Sequence, residues 1–150
     1  MKKVIVLVLA ILMLFALTGC DRPLSSDPIP ITNEILKEMI DSGKIAKDVT
    51  ELDLWAGRYF LSTLSDITPL ASLTNLQVLN ISSHQIIDIV PLASLTSLRE
   101  LDLSGNQISD LEPLASLTNL QKLDLKGNPL TQEQIDKLQK ALPDCKIVWE

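Results

Sequence analysis

The sequence predicts an α/β fold: a short solenoid of stacked coils, each giving one strand to a shared parallel sheet, with a helical cap at the start and a helix-strand cap at the end. Three observations carry that expectation. A 22-residue segment recurs without gaps over 65–86, 87–108 and 109–130, and "PLASLT" is identical at 69–74, 91–96 and 113–118. Within each copy two aliphatic residues alternate with polar neighbours (Leu79 and Ile81, Leu101 and Leu103, Leu123 and Leu125), which is the two-residue period of a strand with one buried face. The chain is 46% hydrophobic but only 3% aromatic, so its core must be aliphatic. A single coil of this size cannot shelter its own leucines. Coils must stack, with neighbouring strands about 4.8 Å apart.

The chain starts with a different kind of segment. "MKK" is a positive start, Val4–Leu17 is an unbroken apolar run of 14 residues, and Thr18 and Gly19 are small. That is the layout of an export signal. The run is short for a bilayer-spanning helix, which needs about 20 apolar residues. The residues alone also suit an uncut anchor. "LTGC" at Leu17–Cys20 resembles the lipobox of bacterial lipoproteins. That resemblance implies cleavage between Gly19 and Cys20, acylation of the Cys20 thiol and often of the new amino group, and a protein exported and lipid-anchored to a bacterial cell membrane. Two or three acyl chains hold a protein stably where one does so only marginally. Asp21 follows the cysteine, a position that some two-membrane bacteria use for inner-membrane retention. "DRPLSSDPIP" (Asp21–Pro30), with three prolines, reads as an extended tether.

The helix expected next lies in "ITNEILKEMIDSGK". Thr32 suits its N-cap, Ile35, Leu36, Met39 and Ile40 form one apolar stripe, and Gly43 suits its stop. A degenerate first repeat follows: "VTELDLWAGRY" (Val49–Tyr59) matches "LRELDLSGNQI", with five extra residues before the next copy. The shared pattern "LxxLxLxxNxI", with "DIxPLASLTNL", resembles the internalin-type leucine-rich repeat. The resemblance implies a right-handed solenoid whose concave side is the parallel sheet.

Each repeat's parts have local reasons. Pro69, Pro91 and Pro113 fit the first turn of a short helical segment, where a missing N–H costs nothing. Asp66, Asp88 and Asp110 lie three residues earlier, near enough to cap those turns. Asn106 and Asn128 stand where the chain leaves the sheet, and an amide can donate and accept to backbone groups that lack strand partners. His84 holds the same position one repeat earlier, and a neutral imidazole also offers one donor and one acceptor. A pH switch or a metal ligand is the other reading of that histidine, though a lone histidine is a poor metal site. Gly57, at the corresponding place in the first copy, can make no such bond. After the repeats, Thr131 and Gln134 form a capping box, and Ile135, Leu138 and Leu142 face one way. Pro143 ends that helix and "CKIVW" reads as a closing strand. Cys145 suits a small buried hydrophobe, and Trp149 a cover for the open end of the core. The chain thus divides into a leader (1–19), lipidated cysteine and tether (20–30), N-terminal cap (31–48), repeats (49–130) and C-terminal cap (131–150).

Function must then reside on a surface. Formal charge is −6, and removal of residues 1–19, with Lys2 and Lys3, takes it to −8. Such a chain lacks the basic footprint that nucleic acid demands. Two cysteines rule out a disulfide scaffold. There is no catalytic constellation, metal-ligand spacing or phosphate loop, so no enzyme activity, metal or cofactor is expected. The outward strand positions form three columns: Glu51, Val78, Glu100 and Lys122; Asp53, Asn80, Asp102 and Asp124; Trp55, Ser82, Ser104 and Lys126. The expected function is a membrane-anchored protein-binding module, its shallow acidic face receiving a basic patch of a partner with Trp55 as aromatic anchor. The aspartates also have a plain structural reading, as the soluble side of a habitual strand, and Trp55 could pack beneath the insertion. Internalin-type relatives bind host-cell proteins, which implies adhesion. The alternative is an envelope structural or assembly role with a partner of the same cell. Four strands offer roughly 400–800 Å², at or below the usual area per partner.

Overall fold

The computed structural model describes residues 3–4, 32–54 and 64–150. Its sheet has six parallel strands in sequence order: β1 (Lys3–Val4), β2 (Glu51–Asp53), β3 (Val78–Asn80), β4 (Glu100–Asp102), β5 (Lys122–Asp124) and β6 (Lys146–Val148). Parallel neighbours need crossovers, and the two that join β3 to β4 and β4 to β5 are each one 22-residue repeat long. The register pairs Leu52 with Leu79, Leu79 with Leu101, Leu101 with Leu123 and Leu123 with Ile147. Equivalent leucines therefore stand directly above one another. The stacked-coil expectation holds. One strand was not foreseen: β1 comes from the expected leader and lies beside β2, with Lys3 opposite Glu51 and Val4 opposite Leu52.

The core is a set of aliphatic columns. In the first full repeat Ile67, Leu70, Leu73, Leu76, Leu79 and Ile81 are all buried. The next two repeats bury Ile89 to Leu103 and Leu111 to Leu125 at the same spacings. Burying one such side chain contributes about 1.5–3 kcal/mol relative to leaving it in water, so stacking supplies most of the favourable free energy.

Opposite the sheet, each repeat closes through a five-residue 3₁₀ helix: Thr68–Ser72, Val90–Ser94 and Glu112–Ser116, each with its proline in the first turn. Asp66, Asp88 and Asp110 accept the N–H of Thr68, Val90 and Glu112 at 2.8–2.9 Å, which closes the turn into each 3₁₀ helix from one position before its N-cap. Hydrogen bonds from Thr68, with Lys37 adding attraction, hold the Asp66 carboxyl below the ordinary carboxylate range. Ser94 and Ser116 donate back to carbonyls of Ala71 and Ala93, which ties each turn to the one before.

The caps follow the pattern read from the sequence. Helix α1 (Asn33–Asp41) is capped by Thr32, whose hydroxyl accepts the Ile35 N–H; it buries Leu36, Met39 and Ile40. The chain turns away at Gly43, whose φ of +72° favours glycine. Helix α2 (Gln132–Ala141) carries the complete capping box of Thr131 and Gln134 and buries Ile135 and Leu138. Leu142 and Cys145 are also buried, while Trp149 is half-buried against the end of the core.

Candidate functional site: the outer face of the sheet

Because β3, β4 and β5 each bury their central leucine, the flanking residues must point outward. The register places Glu51, Val78, Glu100 and Lys122 in one row, and Asp53, Asn80, Asp102 and Asp124 in another. Both rows match the columns expected from the repeat alignment. The structure also extends them: β6 adds Lys146 to the first row and Val148 to the second. Sequence reasoning recognised the closing strand but did not set its register. The signal was there, since aligning Ile147 of "KIV" with Leu123 of "KLD" gives both residues.

The third column is corrected in part. Ser82 is buried and Ser104 half-buried, so Ser82 offers nothing outward. Their hydroxyls donate to Oδ1 of Asn80 and Asp102 at 2.7 Å. Lys126 is exposed. Trp55 lies outside the described residues, as do Gly57 and Cys20.

The middle row does structural work. Oδ1 of Asn80, Asp102 and Asp124 accepts the backbone N–H of Ser82, Ser104 and Lys126 at 2.9–3.0 Å. Each side chain thereby closes the turn out of its strand, as short polar residues do at chain reversals. The plain structural reading thus accounts for one oxygen of Asp102 and one of Asp124.

The face is bipolar rather than simply acidic. Over β2–β6, Glu51 and Asp53 stand on β2, whereas Lys126 follows β5 and Lys146 stands on β6. Between them Lys122 Nζ meets Glu100 Oε1 at 3.0 Å in an exposed pair, which contributes little to stability. A shallow depression of about 270 Å³ runs over β3–β6 between these charges. A second concavity, of about 440 Å³, lies elsewhere, between the last 3₁₀ helix and α2. The exposed Lys137–Glu112 ion pair, 2.7 Å long, links the last 3₁₀ helix to α2 there, and its carboxylate raises the lysine's affinity for its proton.

The ladder residues occupy the sheet's exit. Asn106 Nδ2 donates to the carbonyls of Ile81 and Leu103, and its Oδ1 accepts the Ile86 N–H. Asn128 repeats this with Leu103, Leu125 and Ile108. His84 is buried on the same rung, Nε2 2.8 Å from the Leu54 carbonyl and Nδ1 3.4 Å from the Leu64 N–H. Among the described residues no group of three or more His, Cys, Asp or Glu side chains is placed to hold a metal ion.

Comparison with known proteins agrees with this geometry. A leucine-rich repeat model matches residues 47–108, and a second model, of two leucine-rich repeat copies, matches residues 96–140. No curated protein matches the chain. Among solved structures it is similar to internalin C2 of Listeria monocytogenes, with 34% identity over 75% of this chain and 44% of that one, at a TM-score of 0.61. It is also similar to a leucine-rich repeat protein of Leptospira interrogans, at 25% identity, 73% and 27% coverage, and TM-score 0.61. The ectodomain of a plant membrane receptor kinase from Arabidopsis thaliana, solved with Casparian strip integrity factor 2, shares the fold at 18% identity, with 73% and 13% coverage and TM-score 0.56. The chain spans less than half the length of each of these three proteins.

Proposed function

Residues 47–140 are leucine-rich repeats, and from that premise we propose that this chain is a lipid-anchored protein-binding module that holds its sheet face outside the cytoplasmic membrane. The observation that carries the reading is the uninterrupted register of the two outward rows over β2–β6. It gives one continuous surface, acidic at β2 and basic at β6. Leucine-rich repeat proteins are typically interaction modules, and the described residues of this face are strand side chains spread in two rows, which suits contact with another protein. The chain acts by binding, without turnover.

Charge of both signs selects a partner with the reverse arrangement, a basic site facing Glu51 and Asp53 and an acidic one facing Lys126 and Lys146. Such complementarity governs specificity and association rate more than affinity, so capture weakens with salt. The small face suits a modest contact made by many anchored copies, as in adhesion. Cys20 supplies the anchor in this reading, and residues 21–30 the spacing from the membrane. Cleavage before Cys20 removes β1 and leaves β2 as the edge of the sheet.

Two experiments test these claims separately. Crosslinking and pull-down from intact cells is expected to recover a protein partner with the wild type. Lys126→Glu with Lys146→Glu is expected to lose it while melting as the wild type does. Equal recovery by both rejects the sheet face. Cys20→Ser is expected to release the protein from the membrane fraction or leave it unprocessed. Membrane fractionation at mature size rejects the anchor.

A further inference from the structure

The last strand lacks the cover that the strands before it have. Leu123 and Leu125 of the third repeat are 1% and 0% exposed, sheltered by the coil that follows. The register carries their positions onto Ile147 and, one alternation further, Trp149. Both of these are only half-buried against the end of the core. Among the described residues β6 pairs with β5 alone and forms the edge of the sheet.

The main chain of that edge is arranged for a further strand. Lys146 donates its N–H to the Gln121 carbonyl, and the Val148 carbonyl accepts from Leu125. The backbone groups of both residues therefore face β5. Successive residues of a strand turn these groups to opposite sides, so those of Ile147 and Trp149 face away from the sheet. Such an edge is a template for pairing with another chain.

The sequence of the edge selects the chain. Set antiparallel to itself about Val148, "KIVWE" (Lys146–Glu150) brings Lys146 opposite Glu150 and Ile147 opposite Trp149, with Val148 opposite its own copy. Ile147 and Trp149, whose main-chain groups face outward, then form the pairs that exchange both hydrogen bonds, and Val148 the closer pair that exchanges none. Lys146 and Glu150 are exposed, on the face opposite the one that Ile147 gives to the core. Two Lys–Glu pairs form on that face and two Ile–Trp pairs beneath it, over the open ends of both cores. Cross-strand pairs of both kinds are favourable. Centring the two strands on Ile147 keeps the hydrogen bonds but brings Asp144 toward Glu150, where like charges repel.

We propose that two copies of this chain pair through β6, antiparallel about a two-fold axis at Val148, so that one sheet runs through both. The contact is isologous and closes on itself, which leaves no free edge at that end. Both outer faces then point the same way and lie side by side. Five residues a side fall short of a standard interface of about 1,600 Å², so the dimer is weak and forms where copies are held close together. It goes beyond the function proposed above and needs no partner.

Two measurements on the full-length chain in detergent test it. The first mixes isotopically light and heavy wild-type chains and couples carboxylates to amines with a zero-length carbodiimide. Within one extended strand Lys146 and Glu150 lie about 13 Å apart, too far for a direct amide. A Lys146–Glu150 link between light and heavy chains is expected, and its absence overturns the proposal. The second is sedimentation equilibrium in density-matched detergent. Lys146→Glu and Glu150→Lys are each expected to weaken the dimer at least tenfold while melting as the wild type does. The chain carrying both is expected to regain it, because the pairs re-form with signs reversed. A wild type that stays monomeric up to about 1 mM, or a double variant no tighter than the single ones, overturns the proposal. Should a variant fail to fold, the wild-type coupling decides. Neither measurement involves a captured protein, so failure of the dimer is told apart from failure of the sheet face as a binding surface.

Discussion

At the scale of single residues, the turn after each strand shows how stacking restricts side-chain choice. Ser83, Gly105 and Gly127 share a left-handed conformation, with φ of 63°, 67° and 67°. Glycine reaches that region freely, and other residues do so at a cost of about 1–2 kcal/mol. A Cβ on Gly105 would also lie 3.4 Å from Cα and Oγ of Ser83 in the coil below. Gly105→Ala is therefore expected to lower stability by about 1–2 kcal/mol, as read from urea unfolding midpoints. An unchanged midpoint would mean that the turn relaxes. Cys145 makes a different prediction. Burial pushes its thiol pKa up, so the folded chain resists forming the thiolate that the unfolded chain forms freely. The contribution to stability is complete below the unfolded-state value, about 8.5, and is lost as pH rises through and above it. The thiol is expected to stay unlabelled by a maleimide reagent at pH 7.5 until denaturant is added. Rapid labelling of the native chain would show that the C-terminal cap opens.

At the scale of elements, caps and turns were the most legible part of the sequence, because each rests on a few adjacent residues. The capping box of Thr131 and Gln134, the N-cap Thr32 and the aspartates before each 3₁₀ helix all depend on separations of two or three positions, and all form. Thr131→Ala should cost about 1 kcal/mol and expose Leu138 by fraying α2, which amide exchange in residues 132–135 would register. No change there would mean that packing alone holds the helix. The first two columns of the sheet face were legible for a related reason, since gapless repeats fix register. What escaped was set by contacts between distant segments. Lys146 and Val148 join the face only because β6 pairs with β5. Ser82 leaves it by burial, although its hydroxyl makes the same bond to Asn80 that the half-buried Ser104 makes to Asp102. The pairing of Lys3–Val4 with β2 has no counterpart in the repeat pattern, and the reading of that stretch as a leader did not suggest it.

At the scale of the whole molecule, the question is whether so few coils behave as one cooperative unit. Each coil touches only its neighbours, so stability is a sum of coil terms and interface terms, and long arrays can lose an end without losing the middle. Here three gapless repeats stand between two caps, and Leu101 sits in β4 with Leu79 on one side and Leu123 on the other. It is 3% exposed. Replacing it with aspartate puts an unpaired carboxylate or a strained neutral acid among leucines. The penalty is several kcal/mol, against a total stability of about 5–15 kcal/mol for a domain this size. Failure at that point leaves fewer than three intact repeats on either side, too few to stand alone. Leu101→Asp is therefore expected to abolish the thermal transition across the whole chain, with circular dichroism and the emission of Trp149 losing their native signals together. Persistence of a cooperative melt at the wild-type temperature would show that the coils are independent. The shared sheet face, whose rows exist only while every strand keeps its register, would then lose its physical basis.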